Sequence, residues 1–195
     1  MLRRDILSLA GATALLAACG AETKPAFKAV DITGADYGRN FKLTDTEGKV
    51  RGIGDFPGKA VIVFFGYTQC PDACPTTLAE IAEAKKLLGP DGAKVQPVLI
   101  SLDPERDKPD LLKAYVGNFG PDFIALRGTP EQTSAVAKDF KVFYRKVPGS
   151  TPGSYTMDHS AASYVYDPKG RLRLYVRYGS GAQALADDLK LILKA

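Results

Sequence analysis

"AVIVFFGYTQCPDACPTTLAE", residues 60–80, joins a strand-like run, a cysteine pair and the opening of a helix. From Ala60 to Tyr67 the run is β-branched and aromatic with no polar alternation, which predicts a central strand buried on both faces. Pro75 suits the first turn of a helix, where a missing N–H costs nothing. Leu78, Ile81, Ala82 and Leu88 then recur at helical spacing until Gly89-Pro90 ends the run. Cys70 and Cys74 lie between strand and helix, each followed by a proline. Spaced i and i+4, their sulfurs can face the same side, and their Cα atoms stand about 6 Å apart, within reach of a disulfide. The same spacing equally allows two thiolates to converge on one soft metal ion. A helix N-terminus stabilises anions, so thiolate character is favoured there.

Outward from this stretch, Phe27–Ile32 and Phe41–Asp45 read as strands, and "DTEGK" (45–49) turns the chain into a further short extended piece. "VQPVLISLD" (95–103) is a second buried strand, and "PDLLKAYVGNF" (109–119) a helix with Leu112, Tyr115, Val116 and Phe119 on one side. "FIALRG" is a short strand; Thr129-Pro130-Glu131-Gln132 opens a helix with a capping box and proline at the first position. "GSTPGSYTMDHS" (149–160) reads as a polar loop, followed by a hairpin of Ala162–Tyr166 and Leu172–Tyr178. A last helix is expected from Ser180, with Gln183 completing a second capping box and Leu185, Leu189, Ile192 and Leu193 as its stripe. Alternation first and a hairpin last predict an α/β protein: a mixed central sheet with helices on both faces, an N-terminal strand extension and a C-terminal β-hairpin plus helix. With a cysteine motif between the first long strand and its helix, that is the layout of a thioredoxin-like fold.

The N-terminus, "MLRRDILSLAGATALLAACGAETKP", begins with Arg3 and Arg4 and continues in the apolar stretch Ile6–Ala18. The stretch falls short of the about 20 residues that span a bilayer and reads as the apolar region of an export signal. Leu16-Ala17-Ala18-Cys19 resembles the lipobox of bacterial lipoproteins, in which the cysteine receives a diacylglyceryl group and the chain is cut just before it. The resemblance implies a signal over 1–18, a lipidated tether over 19–26 and one domain over 27–195. Arg3-Arg4 also resembles a twin-arginine signal, leaving the export route open. With Cys19 carrying lipid, Cys70 and Cys74 are the only thiols left outside the cytosol, where a free pair oxidises unless it is kept reduced or holds a metal. The net charge of +4 is small and evenly spread, which argues against nucleic acid as a partner. Arg171, Arg173 and Arg177 alternate along one strand and read as a solvated face.

The search for a third metal ligand is short, because His159 is the sole histidine. It precedes the last hairpin, and in a thioredoxin-like layout that loop abuts the cysteine motif. Two thiolates and an imidazole suit copper, which thiolates favour as Cu(I); with water or Asp158 as a fourth ligand they also suit zinc. Ligand type alone does not separate the two. Met157 is the only methionine after the signal, so a methionine-rich copper site is excluded.

"FFGYTQCPDACPTTLAE", "ISLDPERDKPDLLKAY" and "MDHSAASYVYDPKGRL" together resemble the Sco (SenC) family of thioredoxin-like copper-binding assembly proteins, in order and across most of the exported domain. The resemblance implies one copper per chain, as Cu(I) or Cu(II), held by Cys70, Cys74 and His159. It implies a role in building the CuA centre of cytochrome c oxidase, with subunit II, a copper donor protein and a thiol reductant as partners. Copper delivery and reduction of the target's cysteines by the Cys70–Cys74 dithiol are both open, so enzymatic activity is too. The lipid would hold the domain at the periplasmic face of the cytoplasmic membrane. Asp158 either orients His159 or is a turn residue. Asp103, Glu105, Arg106 and Asp107 read as helix capping and a local ion pair. The main alternative is an exported thiol–disulfide oxidoreductase with no obligatory metal. Against it, the motif is C-x-x-x-C, and a histidine stands where thioredoxins carry a proline. A peroxiredoxin would need a threonine where Tyr67 stands, and a purely structural domain would leave the thiols and histidine without a use.

Overall fold

In the computed structural model of the chain, residues 26–195 are described. The expected signal over 1–18, Cys19 and all of the 19–26 tether but its last residue lie outside them. Among the described residues, no helix is long and apolar enough to cross a membrane.

The first half of the domain contains β1 (Val30–Asp31), β2 (Leu43–Asp45), β3 (Val50–Arg51), β4 (Ala60–Gly66), α1 (Ala73–Leu87) and β5 (Val95–Ser101). Then follow α2 (Pro109–Gly117), β6 (Ile124–Arg127), α3 (Pro130–Asp139), β7 (Tyr144–Pro148), β8 (Tyr155–His159), β9 (Ser163–Tyr166), β10 (Leu172–Val176) and α4 (Ala182–Ile192). Eight strands form one mixed sheet in the order β1-β10-β9-β4-β5-β6-β2-β3. β4, β5 and β6 run parallel, while β9 lies antiparallel to β4 and closes its other side. Every residue of β4 and β5 is buried, as their unbroken apolar runs require, and each fully buried large side chain contributes about 1.5–3 kcal/mol.

Helices cover both faces of the sheet. α1 and α4 pack together on one. On the other, Phe140, the C-cap of α3, sits edge-on to Phe65 of β4 and Tyr164 of β9, with ring centroids 5.0 and 5.2 Å apart. Edge-to-face packing of this kind adds to what burial alone supplies. The architecture is the thioredoxin-like one expected, with N-terminal strands β1–β3 added to the two sheet edges.

Several local expectations are corrected. The stretch 149–160 is not simply a polar loop: β7 and β8 pair antiparallel as a separate two-stranded sheet, with Tyr144 opposite His159. β7 buries no residue fully and β8 only Met157, so little apolar alternation announces them. The N-terminal strand shortens to Val30–Asp31, because the Lys28 and Ala29 amides donate to the carboxylate of Asp188 at 2.7 and 2.8 Å. Asp188 is a buried acid within the apolar stripe of α4. The capping box at Ser180–Gln183 does not form. Gly181 is the N-cap at φ 83°, α4 starts at Ala182, and the Ser180 hydroxyl donates to the Arg177 carbonyl. The box at Thr129–Gln132 is present. The basic stripe is also less free than its alternation suggests, since buried Asp167 pairs with Arg171 at 2.7 Å and Arg173 at 3.2 Å.

Candidate metal centre

The buried strand β4 delivers the chain to Tyr67, and a short loop then carries Cys70 before α1 begins. The Cys70 amide donates to the Tyr67 carbonyl at 3.3 Å, and the Cys74 amide, in the first turn of α1, donates to the Cys70 sulfur at 3.4 Å. Cys74 is fully buried and Cys70 half-buried; both are free thiols. Gly66 makes room for this packing: a Cβ there would stand 2.7 Å from the Cys74 sulfur. A glycine ending an otherwise bulky strand signals such a close approach.

His159 arrives from the far end of the sequence, at the end of β8. Its Nε2 lies 3.6 Å from the Cys74 sulfur. Its Nδ1 is 3.0 Å from the Ser160 carbonyl, a contact that orients the ring with Nε2 toward the sulfurs. Tyr67 and Phe64 meet the imidazole edge-on, at centroid distances of 5.9 and 6.2 Å. The sulfurs of Cys70 and Cys74 and a ring nitrogen of His159 lie within 4.8 Å of one another.

The two cysteines share one proton unequally. The thiol of Cys74 donates to Cys70, and the Asp72 and Cys74 amides and the imidazole assist, lowering the Cys70 pKa to about 4 against the opposing effect of burial. Cys74 is pushed upward, because its proton is held by Cys70 and because it is buried. The reactive thiolate is therefore retained as pH falls until the lowered value is reached. Iodoacetamide should modify Cys70 and spare Cys74. Its rate should stay flat from about pH 8 to about pH 5, where an ordinary thiol slows about tenfold per unit. Peptide mapping by mass spectrometry checks this; equal labelling of both cysteines, or a tenfold-per-unit decline across that range, would contradict the shared proton.

Asp158 is placed differently from its sequence expectation. Alternation along β8 turns it away from His159, and it forms an exposed ion pair with Arg145 at 2.9 Å. The group oriented toward Nδ1 is the Ser160 carbonyl. The "DPERD" loop holds an ion pair, as expected, between Arg106 and Asp103. It does not cap α2, whose N-cap is Lys108 with no side-chain bond. Asp107 is instead buried, accepting from the Thr68 hydroxyl and the Ser101 hydroxyl at 2.6 Å each, and burial raises its pKa. It fixes the start of the cysteine loop to the end of β5.

A thioredoxin-like sheet whose first helix opens on C-x-x-x-C, with a histidine brought against the pair from a late strand, defines a distinct class of thioredoxin-like protein. The SCO1/SenC family model matches residues 29–194, and the chain belongs to that family. A SCO2-like protein of Rickettsia felis is 34% identical over 183 residues, spanning 92% of this chain and 89% of the relative. Among solved structures, Bradyrhizobium japonicum ScoI with copper bound superposes with TM-score 0.71 at 40% identity, covering 78% of this chain and 97% of that one. Yeast Sco1 with copper bound superposes with TM-score 0.74 at 30% identity, covering 83% and 90%.

Proposed function

We propose that this chain is an exported, lipid-anchored copper carrier that helps assemble the CuA centre of cytochrome c oxidase. Cys70, Cys74 and His159 would hold one copper as cargo. The observation that carries the reading is the convergence of two sulfurs and one imidazole nitrogen within 4.8 Å, a donor set suited to copper. Similarity to two copper-bound Sco structures supports it. Zinc would need water as its fourth ligand, because Asp158, the side chain considered for that position, is occupied by Arg145 on the other face of β8. Subunit II of the oxidase would be the recipient, with a copper donor and a thiol reductant acting upstream; this assignment rests on the three family blocks in the sequence. A second reading, thiol–disulfide exchange by the same pair, is favoured by the lowered pKa of the half-buried Cys70 thiol.

A strain lacking the gene, grown with limiting copper, tests the proposal. Cytochrome c oxidase activity should fall and be restored by the wild-type chain. Cys19→Ser should yield protein without lipid and without lipoprotein-type cleavage, as read by mass spectrometry of the membrane extract, and should restore activity poorly. Undiminished oxidase activity in the deletion would remove the assembly role, and an unmodified Cys19 in the mature wild-type chain would remove the anchor.

A further inference from the structure

Cys70 and His159 sit on separate pieces of chain, a loop after the main sheet's central strand and the end of a strand in the small sheet. Backbone pairing between those two pieces is not what sets their separation: among the described residues β8 pairs with β7 only. The side chain of Arg106 bridges them. The Nη1 of Arg106 donates to the side-chain carbonyl of Gln69, the residue before Cys70, at 3.0 Å. The same nitrogen donates to the backbone carbonyl of Tyr155, on the strand that ends in His159, at 2.8 Å.

The guanidinium is itself held from two further directions. Its Nε pairs with Asp103, which is buried and also accepts from the Tyr155 hydroxyl at 2.9 Å. Its carbon stands 3.6 Å from the centroid of the Tyr155 ring and 5.8 Å from that of Tyr67. Tyr67 in turn accepts the Met157 amide at 3.2 Å, a second tie between the cysteine loop and β8. Only a planar fork of fixed N–H groups serves a carboxylate, two carbonyls and an aromatic face at once; the ammonium of lysine does not.

We propose that Arg106 is a positioning residue of the metal centre: it sets the distance between Cys70 and His159 by clamping Gln69 to Tyr155. The clamp is a property of the metal-free protein. Its consequence for copper rests on the reading of the site as a copper centre, so the two are tested separately.

The first measurement needs no metal. Amide hydrogen exchange on the reduced, metal-free full chain reports opening of residues 67–72 and 155–160. Arg106→Lys should raise exchange in both segments, each by about tenfold, while the α4 core keeps its protection. Gln69→Ala, an exposed substitution, should raise it mainly in 67–72 and add almost nothing in the Arg106→Lys background, since the two share one contact. The second measurement loads Cu(II). Arg106→Lys should shift the thiolate-to-copper absorption band and weaken binding by about tenfold in chelator competition. A wild type that shows no such band would sink the copper reading and leave the clamp to be judged by exchange. Unchanged exchange in either segment of Arg106→Lys would overturn the clamp, as would a wild-type band and affinity in that variant where the wild type binds copper. If Arg106→Lys does not fold, Gln69→Ala decides alone: unchanged exchange in 67–72 overturns the proposal.

Discussion

His159→Ala should abolish stable Cu(II) binding and weaken Cu(I) binding while leaving a dithiol that still reduces a model disulfide. The imidazole is the sole nitrogen in the proposed shell, and its Nε2 already faces the Cys74 sulfur at 3.6 Å. Two thiolates can hold Cu(I) in a near-linear arrangement, but Cu(II) prefers nitrogen among its ligands. Loss of a group that merely orients a ligand typically costs 10–100-fold in affinity. Loss of a ligand itself should cost Cu(II) binding at least about a hundredfold. Cys70 should keep most of its thiolate character, because the Cys74 thiol is the leading cause of its lowered pKa and the imidazole a lesser one. Chelator competition under anaerobic conditions, alongside a disulfide-reduction assay, separates the two activities. In cells the variant should fail to support oxidase assembly, as should the Cys70→Ser, Cys74→Ser double variant. Full oxidase activity of His159→Ala under limiting copper would set the three-ligand reading aside in favour of the oxidoreductase.

The second large effect concerns the oxidation state of the pair. Reduced protein should take up one copper per chain, and the form with a Cys70–Cys74 disulfide almost none. Both anionic donors are consumed by the bond, leaving His159 alone, and metal binding requires thiolates. The proton count adds a finer test. Cys70 is already ionised at neutral pH, whereas Cys74 keeps its proton, so copper should displace about one proton per chain rather than two. Because that proton belongs to a group whose pKa is raised, affinity should fall as pH falls, by about tenfold per unit at pH values well above the Cys70 pKa. Equal copper uptake by the oxidised form would place the metal elsewhere.

How much of this was legible varied by element. β4, β5 and α1 could be read from residues alone, because full burial writes itself as an unbroken apolar run and helix burial as a 3.6-residue period. β7 and β8 could not. β7 is intermediate or exposed throughout and β8 buries only Met157, so burial left a faint pattern, and pairing was decided by neighbours in space. The start of α4 departs from its local signal for a different reason: Ser180 and Gln183 have the composition of a capping box, but the positive φ of Gly181 moves the helix start beyond Ser180.

The ligand types were legible too, since a chain with one histidine and three cysteines, two of them four residues apart, offers few choices. Their supports were harder to find. Gly66 carried a faint signal as a glycine closing a bulky strand. Arg106 carried none that separated a clamp from a surface ion pair, and Asp158 drew attention only by adjacency to His159. Composition and spacing along the chain determine the order of strands and helices and the i,i+4 cysteine pair at a helix start, since each depends on residues close in sequence. Which groups surround that pair depends on contacts between residues such as Cys74 and His159, Gln69 and Arg106, or Arg106 and Tyr155. Those contacts are made by side chains brought together from distant segments, where strand alternation sends His159 toward the sulfurs and Asp158 away from them, and no local pattern of residues encodes such a meeting.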